Sequence, residues 1–302
     1  MTLERCLAEL SNEGEPFKNS GLLLLSGLSS EELEEFAATW FGLSKTRKCS
    51  ILTQLGELCE DNVELDFSVI FRTCLTDGDG SVREQATKGL WECDDRVIIR
   101  PLVQLLSEDP HPGVRSEAAT SLGRFATMAQ DGKLRDRDAE RVLEALLTAI
   151  DSDDDTEVGR RAIEAVASFR SSRVEQIISD AYTSGNPSLK RSAVFAMGRT
   201  SNSRWLPTVL AEMDDQDPAM RFEAATACGQ LGDESTVPHL IGLIKDEDIE
   251  VQVSAVQALG TTGGSLAKRA LVRCVQQEDD PVAEAARVAL EALEFDDNPL
   301  GI

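Results

Sequence analysis

Between Val82 and Val282 one helical pattern is written seven times. Apolar residues stand at Val82, Val114, Val158, Leu189, Met220, Val251 and Val282, in steps of 32, 44, 31, 31, 31 and 31 residues. Four positions after each comes alanine: Ala86, Ala118, Ala162, Ala193, Ala224, Ala255 and Ala286. Eight positions after come Leu90, Leu122, Val166, Met197, Cys228, Leu259 and Leu290. A spacing of 0, 4 and 8 puts all three on one helical face, and a central alanine lets a neighbouring helix approach closely. Three positions before the frame stands a capping residue in six of the seven repeats: Asp79, Asp155, Asn186, Asp217, Asp248 and Asp279. A side-chain oxygen there accepts from the open amides of the first turn, and a carboxylate also suits the helix dipole. His111 is the exception. Gly123, Gly198, Gly229 and Gly260 follow the apolar triplets and are expected to stop the helices.

A first helix precedes each of these. Pro101, Pro207 and Pro238 all stand thirteen residues before the frame, where proline either takes an early turn or kinks the helix. Each unit is therefore helix, short acidic turn, helix, a unit that buries its apolar face only when stacked on others.

The pattern resembles the HEAT-repeat family, in the short form of roughly 30 residues also found in phycobilisome lyases. The fullest match is VPHLIGLIKDEDIEVQVSAVQALG, residues 237–260. The resemblance implies an all-α fold, a right-handed α-solenoid of about seven helix pairs. The family's arginine just after the frame is present at Arg83, Arg115 and Arg221, with Lys190 in its place in one repeat. It is replaced at Gly159, Gln252 and Ala283, where a ladder of charged bonds is expected to break.

Residues 29–62 read as an additional, degenerate pair of capping helices, opened by a Ser29–Glu32 capping box. Residues 1–28 read as an N-terminal extension, 63–294 as the repeat array and 295–302 as a frayed tail. The 44-residue step carries thirteen extra residues near 125–138, expected as a surface loop or a lengthened helix.

Composition narrows the function. The 302 residues carry a formal charge of −24, which repels nucleic acids and anionic membranes. Cysteines 6, 49, 59, 74, 93, 228 and 274 form no CxxC pair and read as free thiols of a reducing cytoplasm. No signal peptide or membrane-spanning run is visible; the longest apolar run near the start is Leu22 to Leu25. A HEAT-like hydroxylase binds two irons through His-Glu pairs. Here Pro112 follows His111 and Leu240 follows His239, so that chemistry is set aside. The acidic runs at 77–81 and 151–157 fail as calcium loops, which need Gly sixth and Glu twelfth. No phosphate loop or dinucleotide fingerprint occurs, and no cofactor is expected. The acidic turns read as caps and solubilising charge, or else as a ridge that attracts cations or a basic partner.

One window departs from the acidic background. Residues 158–205 hold eight basic and three acidic side chains, a balance of +5. On the second helices, expected to line the concave side, Arg160, Arg191 and Arg199 flank Phe195 and Phe222. This set is the candidate partner-binding patch, fit for a protein with an acidic segment. In the competing reading the two phenylalanines turn into the core between repeats. The expectation is a non-catalytic, monomeric protein-interaction scaffold. The alternatives are an accessory, lyase-like subunit acting on a chromophore or its target protein and, less favoured, nucleic-acid binding.

Overall fold

The computed structural model describes residues 2–276 and 281–297, the latter's side chains as far as residue 293. It contains two compact units, residues 1–166 and 167–302. In the first unit the helices are α1 (Leu3–Ser11), α2 (Asn19–Leu22), α3 (Ser30–Trp40), α4 (Lys45–Asp61), α5 (Ser68–Cys74), α6 (Gly80–Lys88), α7 (Ile99–Glu108), α8 (Pro112–Gln130), α9 (Asp136–Ser152) and α10 (Thr156–Val166). In the second they are α11 (Ser172–Thr183), α12 (Pro187–Arg199), α13 (Leu206–Ala211), α14 (Pro218–Leu231), α15 (Val237–Leu243), α16 (Ile249–Thr262), α17 (Gly264–Val275) and α18 (Pro281–Asp297). From α5 onward these form seven helix pairs, preceded by the pair α3–α4. Among the described residues there is no strand.

The apolar triplet builds the core. All seven alanines, from Ala86 to Ala286, are fully buried, and so are most of their frame partners. Leu189 and Leu290 are the half-buried exceptions. Second helices pack side by side: α4, α6, α8 and α10 in the first unit, α12, α14, α16 and α18 in the second. Asp79, Asn186, Asp217 and Asp248 cap α6, α12, α14 and α16, and Asp155 accepts from the amides of Glu157 and Val158. Asp279 lies outside the described residues, as do residues 298–302 of the expected tail. The three prolines sit in the first turns of α7, α13 and α15, the early-turn alternative.

The glycines are not helix stops. Gly123, Gly198, Gly229 and Gly260 all lie within helices and have negative φ. A Cβ on Gly198 would stand 2.7 Å from the Ala227 Cα; on Gly229, 2.8 Å from the Ala258 Cα; on Gly260, 2.7 Å from the Ala289 Cβ. These glycines mark where one second helix touches the next. The left-handed stop of α14 comes later, at Gly232 with φ 65°.

The extra residues near 125–138 lengthen helices on both sides. α8 reaches 19 residues and α9 17, joined through Gly132 at φ 70°. Arg96 Nη2 donates to the Lys133 carbonyl (2.6 Å) and ties this turn to the preceding repeat.

The N-terminal segment shares in the core. Leu10, Leu22 and Leu25 are buried, and one arginine clamps the stretch between them. Arg47 Nε donates to the Leu10 carbonyl (3.0 Å), Nη1 to Glu15 (3.0 Å) and Nη2 to Glu9 (3.0 Å) and Asn12 (3.2 Å). The guanidinium thus takes the open carbonyls at the end of α1 and also lies over the Phe17 ring. Arg47→Ala is expected to cost this segment about 2 kcal/mol of local stability, since several bonds to a charged group are lost. Faster tryptic cleavage after Lys18, with the rest of the chain intact, is the readout.

Candidate functional site

The second helices carry two charged systems, one spent on the fold and one turned outward. The first is a ladder. Arg83, one residue past its frame, grips Asp109 of the next repeat, five residues before that repeat's frame: Nε–Oδ2 2.7 Å and Nη2–Oδ1 2.8 Å. Its Nη1 donates to the Asp77 carbonyl of its own turn (2.8 Å). Arg115 repeats this with Asp153, and Arg221 with Asp246. In the first unit the ladder starts in the capping pair, where buried Lys48 Nζ reaches Asp77 Oδ2 (2.7 Å) and Trp40 Nε1 donates to the same oxygen (3.0 Å). Each aspartate also accepts an amide from its own turn, as Asp109 does from His111 (2.9 Å). Burial pushes the Asp109 carboxyl up, but the bonds from Arg83 and His111 outweigh it, and its pKa ends below the usual carboxylate range. Asp77, Asp153 and Asp246 are lowered in the same way.

Where the arginine is replaced, the ladder changes form. Lys190 reaches Glu212 (2.7 Å) and Asp215 (3.6 Å), and the Tyr182 hydroxyl donates to the same Glu212 carboxylate. Burial and that bond push the Tyr182 pKa up to about 12. Among the described residues Gln252 keeps only the bond within its own repeat, to the Asp246 carbonyl (2.5 Å). Gly159 offers no side chain. The aspartate five positions before the frame belongs to the acidic turn in the sequence, and its arginine partner becomes apparent only in the stacked helices.

In the acidic runs Asp77, Asp79, Asp153, Asp155 and Glu157 are engaged by protein groups. Asp79 pairs with Lys45 and caps α6; Asp155 caps α10. No group of three or more His, Cys, Asp and Glu among the described residues is placed to hold a metal ion. His111 Nδ1 stands 3.4 Å from Glu84 Oε2, and His239 is exposed on α15. All seven cysteines are free thiols; four are buried and three half-buried. No described helix is long and apolar enough to cross a membrane.

The five candidate patch residues divide between the units. Arg160, on α10 in the first unit, lies between Glu157 and Glu164, both 2.7 Å away. The other four belong to the second unit. Arg191 stands 3.9 Å from the half-exposed Asp217, too far for a hydrogen bond. The Arg199 guanidinium lies over the Phe195 ring, 5.9 Å from its centroid. Phe195 and Phe222 are both half-buried, neither lost in the core nor fully presented. Phe195 stands six residues past its frame. The equivalent Thr226 bonds Ser254 of the next repeat (2.9 Å), so this position leans toward the following helix.

Comparison with known proteins follows the same lines. The HEAT-repeat family model matches residues 70–167, 174–248 and 206–291. No curated protein matches the chain by sequence. Among solved structures, the Kap95:Nup1 complex is similar at 13% identity and TM-score 0.50, over 96% of this chain and 46% of that one. The CpcE–CpcF complex of phycocyanin lyase from Nostoc is similar at 16% identity and TM-score 0.49, over 75% and 94%. Human deoxyhypusine hydroxylase is similar at 17% identity and TM-score 0.39, over 97% and 96%. At 13% identity the first of these speaks to the fold alone, and nothing rests on the other two. With its stacked helix pairs, buried alanines and arginine–aspartate ladder, the chain belongs to the HEAT-repeat family.

Proposed function

We propose that this protein is a non-catalytic scaffold that binds a protein partner on the second-helix side of residues 167–302. The observation that carries the reading is the group on α12: half-buried Phe195 under the Arg199 guanidinium, with Arg191 only loosely approached by Asp217. Phe222 on α14 extends it to the next repeat. Aromatic rings and arginines in this state of partial burial are the usual anchors of protein interfaces. Their positive charge favours an acidic segment on the partner, against a chain whose net charge is −24. Arg160 contributes less, because two glutamates already neutralise it. The free thiols suit a reducing compartment such as the cytoplasm, and the reading needs only a monomer.

The test is a quantitative capture from native lysate with wild type and with an Arg191→Glu, Arg199→Glu double variant. The partner recovered is expected to fall roughly tenfold with the double variant, the effect of breaking a central charged contact. The melting temperature should stay unchanged. Equal recovery by both baits sinks this patch.

A further inference from the structure

The last first-helix differs from the others of its unit. α17 turns Ala267, Ala270, Leu271 and Cys274 into the core. Its other face carries Leu266 and Val272, 42% and 46% exposed, with Arg269 between them and Arg273 beside them. Spacings of three and four residues join these side chains into one stripe. No other α-helix among the described residues exposes two large apolar side chains. The outer positions of α11 and α15 show Gln176, Asp180, His239 and Gly242 instead. Among the described residues neither Arg269 nor Arg273 has a carboxylate partner.

Aliphatic side chains left in water next to exposed guanidinium groups mark a contact surface. The charge selects the occupant. A chain with a net charge of −24 opposes polyanions generally. A duplex or an anionic bilayer would meet that whole field, and neither offers small aliphatic groups spaced along carboxylates. A two-fold pairing of α17 with α17 of a second copy would set arginine against arginine. An acidic protein segment with aliphatic residues at helical spacing satisfies both halves of the stripe.

We propose that α17 is a second docking surface, separate from the α12–α14 patch, for an acidic amphipathic segment of a partner protein. Leu266 and Val272 seat its aliphatic side chains, and Arg269 and Arg273 take its carboxylates.

The test uses the full chain and a fluorescein-labelled synthetic peptide with Leu and Glu at three- and four-residue spacing, read by anisotropy. Wild type is expected to bind. Arg269→Glu with Arg273→Glu, and separately Val272→Ser, should each weaken binding, the charge reversal by roughly tenfold. Arg191→Glu with Arg199→Glu should leave it unchanged, so this surface can fail or stand independently of the first. A peptide with Ser in place of Leu should bind far more weakly. No binding by wild type overturns the proposal. So does equal binding of the Ser peptide, or equal loss with the α12 variant. Displacement of the peptide by phosphatidylserine vesicles or duplex DNA, or self-association that α17 variants abolish, would assign the stripe to another occupant.

Discussion

Asp109→Ala is expected to destabilise the first unit by about 3 kcal/mol, the cost of leaving one member of a buried ion pair alone. The Arg83 and Asp109 side chains are 12% and 3% exposed, so little water is available to take over. The substitution removes two charge-assisted bonds and strands the guanidinium. It also frees the His111 amide, which now has the Asp109 carboxylate as its acceptor. Replacing both partners, as in Arg83→Met with Asp109→Leu, should recover much of the loss, because the buried charge goes as well. A urea titration read by helical circular dichroism measures both; a loss under 1 kcal/mol for the single variant would show the ladder to be ornamental. The pH dependence has a definite sign. Asp109 has a lowered pKa in the folded chain. Its contribution is therefore complete above about pH 5 and is lost as pH falls below the unfolded value and through the folded one. Asp109→Asn should flatten that acid limb and leave the alkaline side unchanged.

Gly229→Ala is expected to cost about 2 kcal/mol, although alanine is the better helix former by about 1 kcal/mol. The new methyl would stand 2.8 Å from the Ala258 Cα and 2.9 Å from its Cβ. Both belong to α16 and cannot swing aside, so two packed helices must separate. The control is Gly242→Ala on α15. A Cβ there meets nothing within 4 Å, and the same substitution should be neutral or stabilising by a few tenths of a kcal/mol. Opposite signs for one chemical change, read as shifts in thermal midpoint, would isolate close helix approach from helix propensity.

The repeat was legible because its three apolar positions obey one helical period in every unit, and burial depends on that period alone. Gly198, Gly229 and Gly260 were misread because glycine serves two purposes, a left-handed stop and a close approach. One sequence does not distinguish them until the true end of the helix is known. The ladder is half legible: Arg83, Arg115 and Arg221 stand at the family's position, while nothing in the sequence separates Asp109, Asp153 and Asp246 from the other carboxylates of their acidic turns. Their pairing crosses between repeats, and its geometry exists only in the stack. For Arg160, the neutralising Glu157 and Glu164 were already visible at helical spacing. The α17 stripe is not legible in the charge pattern, because Arg269 and Arg273 lie outside the basic window at 158–205.

The central claim, that the second-helix side of α12 and α14 is where a protein partner sits, is tested most directly by amide hydrogen exchange. The full chain would be compared free and saturated with its captured partner. The account predicts added protection concentrated in residues 187–199 and 218–231, with the first helices α11 and α13 unchanged. Protection confined to first helices, or a bound partner that leaves α12 and α14 exchanging as before, would contradict it.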